Sequence, residues 1–163
     1  MKIGIIGDGK HSKRIQIILK KKKLKFYVYK PDRPKYFNEI EFNKLEKCNI
    51  IFILSPNRTH FNYLKLLSNN RYIFCEKPPV TTKKDLNHLK KMNYKKIYFN
   101  FNKRYSLLSE VLKKTKVLKL GKIIYGSFIT SHGFAQKIDY PKNWRSKKQN
   151  NKKGIFETVS IHD

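Results

Sequence analysis

Residues Lys2–Gly9 read KIGIIGDG, a short apolar run that closes on two glycines flanking a single aspartate. Ile3, Ile5 and Ile6 leave no polar face, the pattern of a parallel strand buried on both sides. Beyond the run, Ile15, Ile18 and Leu19 recur at helical spacing between Ser12 and Lys23, and a lysine-rich last turn suits a helix C-terminus. The order is therefore strand, glycine turn, helix. Only seven glycines occur in 163 residues, and Gly4, Gly7 and Gly9 are three of them. Gly7 permits a tight turn, and Gly9 lets the backbone approach a pyrophosphate seated on the next helix N-terminus. Ser12 holds the third position of G-x-G-x-x-G and is small enough for close helix packing. Lys10, His11 and Ser12 complete a candidate dinucleotide loop. The plainer alternative is an ordinary strand-to-helix turn.

Outward from that loop, strands and helices alternate. Lys25–Tyr29 reads as a second strand, stopped by Pro31, and Glu41–Lys47 as a short helix. Asn49–Leu54 (NIIFIL) is the most hydrophobic strand pattern, followed by a helix over Thr59–Ser68 with Leu64 and Leu67 facing inward. Tyr72–Cys75 is a further strand ended by Pro78 and Pro79. Thr82 with Asp85 forms a capping signal for a helix to about Met92. Lys96–Asn100 completes the set. This βαβα order predicts an α/β fold, a Rossmann-type parallel sheet with helices on both faces. After about Arg104 the pattern changes to a helix from Tyr105 to about Leu118 and an alternating strand over Lys122–Ser131. We therefore expect a dinucleotide-binding domain over 1–103 and an incomplete α+β second domain over 104–163.

Composition narrows the function classes. A hydrophobic fraction of 39% fits a globular chain rather than a disordered tail. The formal charge of +27 invites a nucleic-acid reading. Against it, lysines are spread along the chain, only six arginines occur, and Ala135 is the sole alanine, a bias expected of AT-rich coding. Cys48 and Cys75 lack metal-type spacing and read as reduced core thiols of a cytoplasmic protein. His11, His60, His88 and His132 likewise form no metal-like spacing. No apolar run approaches the roughly 20 residues of a membrane helix, and no signal peptide is evident.

The end of the second strand selects the ribose. Nicotinamide enzymes that use NAD place an acid there, about 20 residues past the loop. Here Lys30 occupies the position, followed by Pro31, Asp32 and Arg33. A cation pairs with a 2′-phosphate, so the expected cofactor is NADP or NAD with a lean to NADP; Asp32 reaching the ribose is the alternative.

Strand, then Glu76-Lys77-Pro78, then Pro79-Val80-Thr81 resembles the Gfo/Idh/MocA oxidoreductases. Ser55-Pro56-Asn57-Arg58-Thr59-His60 is similar to the loop after the fourth strand in that family. Asn100–Tyr105 (NFNKRY), Gly121-Lys122-Ile123, Tyr140-Pro141 with Trp144-Arg145, and Gly154–His162 agree in order along essentially the whole chain. The resemblance implies hydride transfer between nicotinamide and a sugar or cyclitol hydroxyl carbon. It implies cofactor contacts from Ser55, Pro56, Asn57, His60, Glu76 and Lys77. Lys77 becomes the candidate cation and proton-relay group, and a cis peptide is admissible at Lys77–Pro78. His162 matches the family's catalytic histidine, while Thr158 stands where the pattern has an aspartate. Arg104, Trp144 and Arg145 are substrate candidates. The family's second domain is larger than the stretch present, so the chain reads as a fragment, a truncated frame or a decayed gene. A homo-oligomer is expected only with that domain complete. The competing functions are a non-catalytic dinucleotide-binding module and, less favoured, a basic nucleic-acid binder.

Overall fold

The apolar run at the N-terminus forms strand β1, Ile3–Ile6, buried along its whole length. The structure, a computed structural model, describes residues 1–31, 39–67, 71–92, 95–114, 124–125, 127, 138–142 and 146. Helix α1 (Lys10–Lys21) follows β1, then β2 (Phe26–Tyr29), α2 (Glu39–Glu46) and β3 (Ile50–Ile53). A 3-10 turn over Asn57–Thr59 leads into α3 (His60–Leu67), β4 (Tyr72–Glu76), α4 (Lys83–Lys91) and β5 (Ile97–Asn100). The five strands form one sheet in the order β2-β1-β3-β4-β5, with every pair parallel. The chain divides into two compact units, Met1–Asn100 and Phe101–Asp163.

Strand side chains alternate between faces, and two apolar clusters result. On one face Ile6, Ile51, Ile53, Ile73, Cys75 and Ile97 pack with Leu45 of α2, Leu64 and Leu67 of α3, and Leu89 of α4. On the other, Ile3 and Ile5 pack with Leu19 and Ile15 of α1 and with Val28 and Phe52. Helices thus flank a parallel sheet, as in Rossmann folds. Phe52, Phe74 and Tyr98 stack across β3, β4 and β5 on the α1 face, with centroids 5.3 and 5.1 Å apart. Gly4 lies beneath α2, where a Cβ would come within 2.8 Å of Leu45 and 2.9 Å of Ile51.

Two details differ from the sequence reading. Helix α1 begins at Lys10 rather than Ser12, because Gly9 in extended conformation already serves as its N-cap. Ile18 is exposed, since its side of α1 turns to solvent while Leu19 covers the sheet. Leu64 and Leu67 are fully buried. Cys48 and Cys75 are free and buried. Thr82 caps α4, its Oγ1 accepting from the Asp85 backbone N–H at 3.1 Å.

In the second unit, a 3-10 turn at Asn102–Tyr105 precedes α5 (Leu107–Lys114), whose first turn is capped by Ser106 Oγ accepting from Ser109 N. A 3-10 turn spans Tyr140–Lys142. The strand expected over Lys122–Ser131 lies almost wholly outside the described residues; Ile124, Tyr125 and Ser127 are exposed and carry no regular structure. Among the described residues, no helix is long and apolar enough to cross a membrane.

Candidate functional site

Because all five strands are parallel, their carboxyl ends share one edge, and ligands of such sheets bind there, where the strand order reverses. The reversal falls between β1 and β3. Gly7–Gly9 follows β1, Lys30 follows β2, Ser55–Asn57 follows β3, and Lys77 follows Glu76 at the end of β4. The sheet therefore collects the sequence candidates of the first unit at one edge.

Gly7 has φ of +105°, and a Cβ there would lie 2.7 Å from the Leu54 carbonyl oxygen. No L side chain fits that conformation and contact without strain. Its N–H donates to Tyr29 O at 2.9 Å, while Leu54 N donates to Ile6 O, so the turn is sewn to both neighbouring strands. Gly9 is different. A Cβ on it would meet nothing within 4 Å, so the protein's own packing does not explain glycine there. Bare backbone opening onto free space at a helix N-terminus is the cradle that a pyrophosphate fits. The residues present thus fit a dinucleotide. Ser12 is fully buried and does more than save space, since its hydroxyl donates to Gly7 O at 2.7 Å and ties the turn to α1.

Two networks that the sequence reading missed flank this loop. Asp8 Oδ2 pairs with Lys30 Nζ at 3.0 Å, and Gln16 Nε2 donates to Asp8 Oδ1 at 3.2 Å. Lys30, then Gln16, hold the Asp8 carboxyl below its ordinary range. Strand register explains the first pair: Ile6 and Tyr29 are partners, which sets the residues after each strand side by side. In the second network, His11 Nε2 lies 2.9 Å from Glu76 Oε1, which also accepts from Asn100 Nδ2. The bond to Glu76 raises the His11 pKa against the effect of burial. Burial pushes Glu76 up, but the hydrogen bonds from His11 and Asn100 outweigh it and hold the carboxyl below its ordinary range.

His60, expected as a cofactor contact, is fully buried beneath the loops. Its Nδ1 lies 2.8 Å from Pro78 O and its Nε2 2.7 Å from Ser55 O. Burial, the largest influence, lowers its pKa. Both nitrogens face carbonyl oxygens, so a neutral ring donates to one of them and packs against the other, filling the space between the loops after β3 and β4. Ser55 is buried too and bonds Thr59 Oγ1 at 2.7 Å, and Thr59 in turn donates to Pro56 O. Pro56 is exposed and Asn57 half-buried. Lys10 is exposed, and Lys77 is half-buried with a cis peptide to Pro78. Arg104 is exposed in the second unit. Trp144, Arg145, Thr158 and His162 lie outside the described residues.

Comparison with known proteins agrees with this geometry. The GFO_IDH_MocA family model, described as an oxidoreductase family with an NAD-binding Rossmann fold, matches residues 8–98. No curated protein sequence matches. Among solved structures, the chain is similar to the WlbA (WbpB) dehydrogenase from Thermus thermophilus in complex with NAD and alpha-ketoglutarate, at 16% identity and TM-score 0.69, over 99% of this chain and 60% of that one. It is similar to scyllo-inositol dehydrogenase from Lactobacillus casei with bound NAD(H) and scyllo-inositol, at 18% identity and TM-score 0.61, over 100% and 54%. UDP-N-acetylglucosamine 3-dehydrogenase GnnA from Acidithiobacillus ferrooxidans aligns at 17% identity and TM-score 0.56, over 71% and 43%. At these identities the likeness is one of fold. The chain spans 60% of the length of the first of these structures and less of the other two.

Proposed function

The chain belongs to the Gfo/Idh/MocA oxidoreductases, an NAD-binding Rossmann family, and from that premise we propose that it binds a nicotinamide dinucleotide across Gly7–Gly9 and, with a substrate domain, oxidises or reduces a sugar or cyclitol at a hydroxyl carbon. The observation that carries the reading is the contrast between the two loop glycines: Gly7 is locked by its neighbours, whereas Gly9 opens onto nothing.

The backbone N–H groups at the start of α1 bind the pyrophosphate, reinforced by the charge of Lys10. Lys30, at the end of β2, favours a 2′-phosphate and so tilts the choice toward NADP. The rim of Pro56 and Asn57 and the pair His11–Glu76 border the nicotinamide half. When bound, the nicotinamide supplies or accepts hydride. Lys77 stabilises the developing oxyanion and relays its proton, while His162 serves as the base that takes it. Arg104, Trp144 and Arg145 orient the substrate. Residues 1–103 form the cofactor domain and 104–163 begin the substrate domain. Solved relatives of the same fold whose names include a scyllo-inositol and a UDP-sugar dehydrogenase support the polyol class. The free, buried thiols of Cys48 and Cys75 support a cytoplasmic setting.

Titrating NADH and NADPH by nicotinamide fluorescence tests the cofactor step; saturable binding is expected, and none with either overturns it. Polyol-dependent reduction of NAD(P) that is lost in Lys77→Met, with the cofactor still bound, marks an enzyme. Cofactor binding without turnover on any polyol, in a form carrying a complete substrate domain, marks a binding module instead.

A further inference from the structure

An acid inside a phosphate-binding loop is an electrostatic oddity, since it repels the ligand that the loop serves. Asp8 sits between Gly7 and Gly9 in a chain of net charge +27, where a cation would be the commonest occupant. Its surroundings show how it is tolerated. Gln16 holds one carboxylate oxygen, and Gln16 is itself bonded to Ser12 Oγ at 3.1 Å. The other oxygen holds Lys30 at 3.0 Å. The carboxylate is thus fixed to α1 on one side and neutralised by the cation of β2 on the other. Lys13 is a further positive neighbour of Asp8.

We infer that Asp8 is a specificity-determining residue: it restrains Lys30 and so sets the ratio of NADP to NAD affinity. The inference rests on the cofactor site proposed above. Lys30 stands where the ribose acid of NAD enzymes would be. A 2′-phosphate arriving there competes with Asp8 for the ammonium, and binding exchanges one ion pair for another. A 2′-hydroxyl leaves the pair intact and finds in Asp8 an acceptor supplied by the loop instead of by β2. The selector is therefore composite, and Asp8 moderates the preference that Lys30 alone would impose.

A double-mutant cycle on the whole chain tests this, with NADH and NADPH titrated by nicotinamide fluorescence at one ionic strength. Asp8→Asn keeps a partner for Gln16 and releases Lys30; the NADPH-to-NADH affinity ratio should rise about 1.4- to 5-fold, the range for an exposed ion pair. In a Lys30→Ala background the same change should raise the ratio by less, since only the carboxylate's own part in the selector is then lost. An unchanged ratio in Asp8→Asn overturns the inference, and so does an equal rise in both backgrounds, which would mean only that a negative charge had been removed. Asp8→Ser replaces Asp8→Asn if melting shows that the latter does not fold. Failure of the wild type to bind either nucleotide sinks the cofactor reading and the inference together. Binding of both with a flat cycle sinks the inference alone.

Discussion

Gly7 and Gly9 stand two positions apart and answer to different neighbours. Alanine at Gly7 would force an L residue to φ +105° and press a methyl 2.7 Å from a backbone oxygen. We expect Gly7→Ala to cost at least about 2 kcal/mol in denaturant unfolding. Gly9 has φ −72° and open space, so Gly9→Ala should cost no more than about 1 kcal/mol, through the weaker N-cap. Its effect should fall on the ligand instead, with nucleotide affinity reduced roughly tenfold or more as the methyl occupies the cradle. The glycine pair was legible in the sequence because it followed an apolar run and preceded a helical one. What set the two residues apart was not legible, since it depends on how closely Leu54 approaches Gly7. The same holds for His60: the sequence put it near the loops, and only packing could show it buried with both ring nitrogens facing backbone carbonyls.

Contacts between elements give two further expectations. Thr82 caps α4 through the Asp85 N–H, and its hydroxyl also donates to Asp85 Oδ2 at 2.7 Å. Thr82→Ala should lower stability by about 1 kcal/mol, read by denaturant melts. The second concerns His11 of α1 and Glu76 of β4. With its pKa raised, His11 stabilises the native state fully below its ordinary value of 6.5, and this is lost as pH climbs through the raised value. With its pKa lowered, Glu76 contributes above its ordinary 4.5, and loses this as pH falls through the lowered value. The stability difference between wild type and His11→Gln should therefore be largest between these ordinary values and shrink toward pH 9. His11 is nearly half exposed, so the difference stays under about 1 kcal/mol. A difference that grows with pH would contradict the pairing. The strands and helices were legible from apolar runs and caps. The pairs that join them were not, because His11 and Glu76 are brought together by topology rather than by spacing.

At the scale of the whole molecule, the parallel order β2-β1-β3-β4-β5 gathers the loop glycines, Lys30, the Ser55 loop and Lys77 at one edge of one sheet. Family membership agrees with that edge as the cofactor side. The net charge of +27 adds a general attraction for anions, so nucleotide affinity should fall as salt rises. That dependence alone does not separate a cofactor site from a basic surface. The Gly9 substitution does, because it leaves every charge in place. Titration of wild type and Gly9→Ala with NADH and NADPH, alongside their melting curves, is accordingly the most direct measurement. We expect saturable binding by the wild type and at least roughly tenfold weaker binding by a variant of nearly unchanged stability. Equal affinity in the two proteins, or no binding by the wild type, would contradict it.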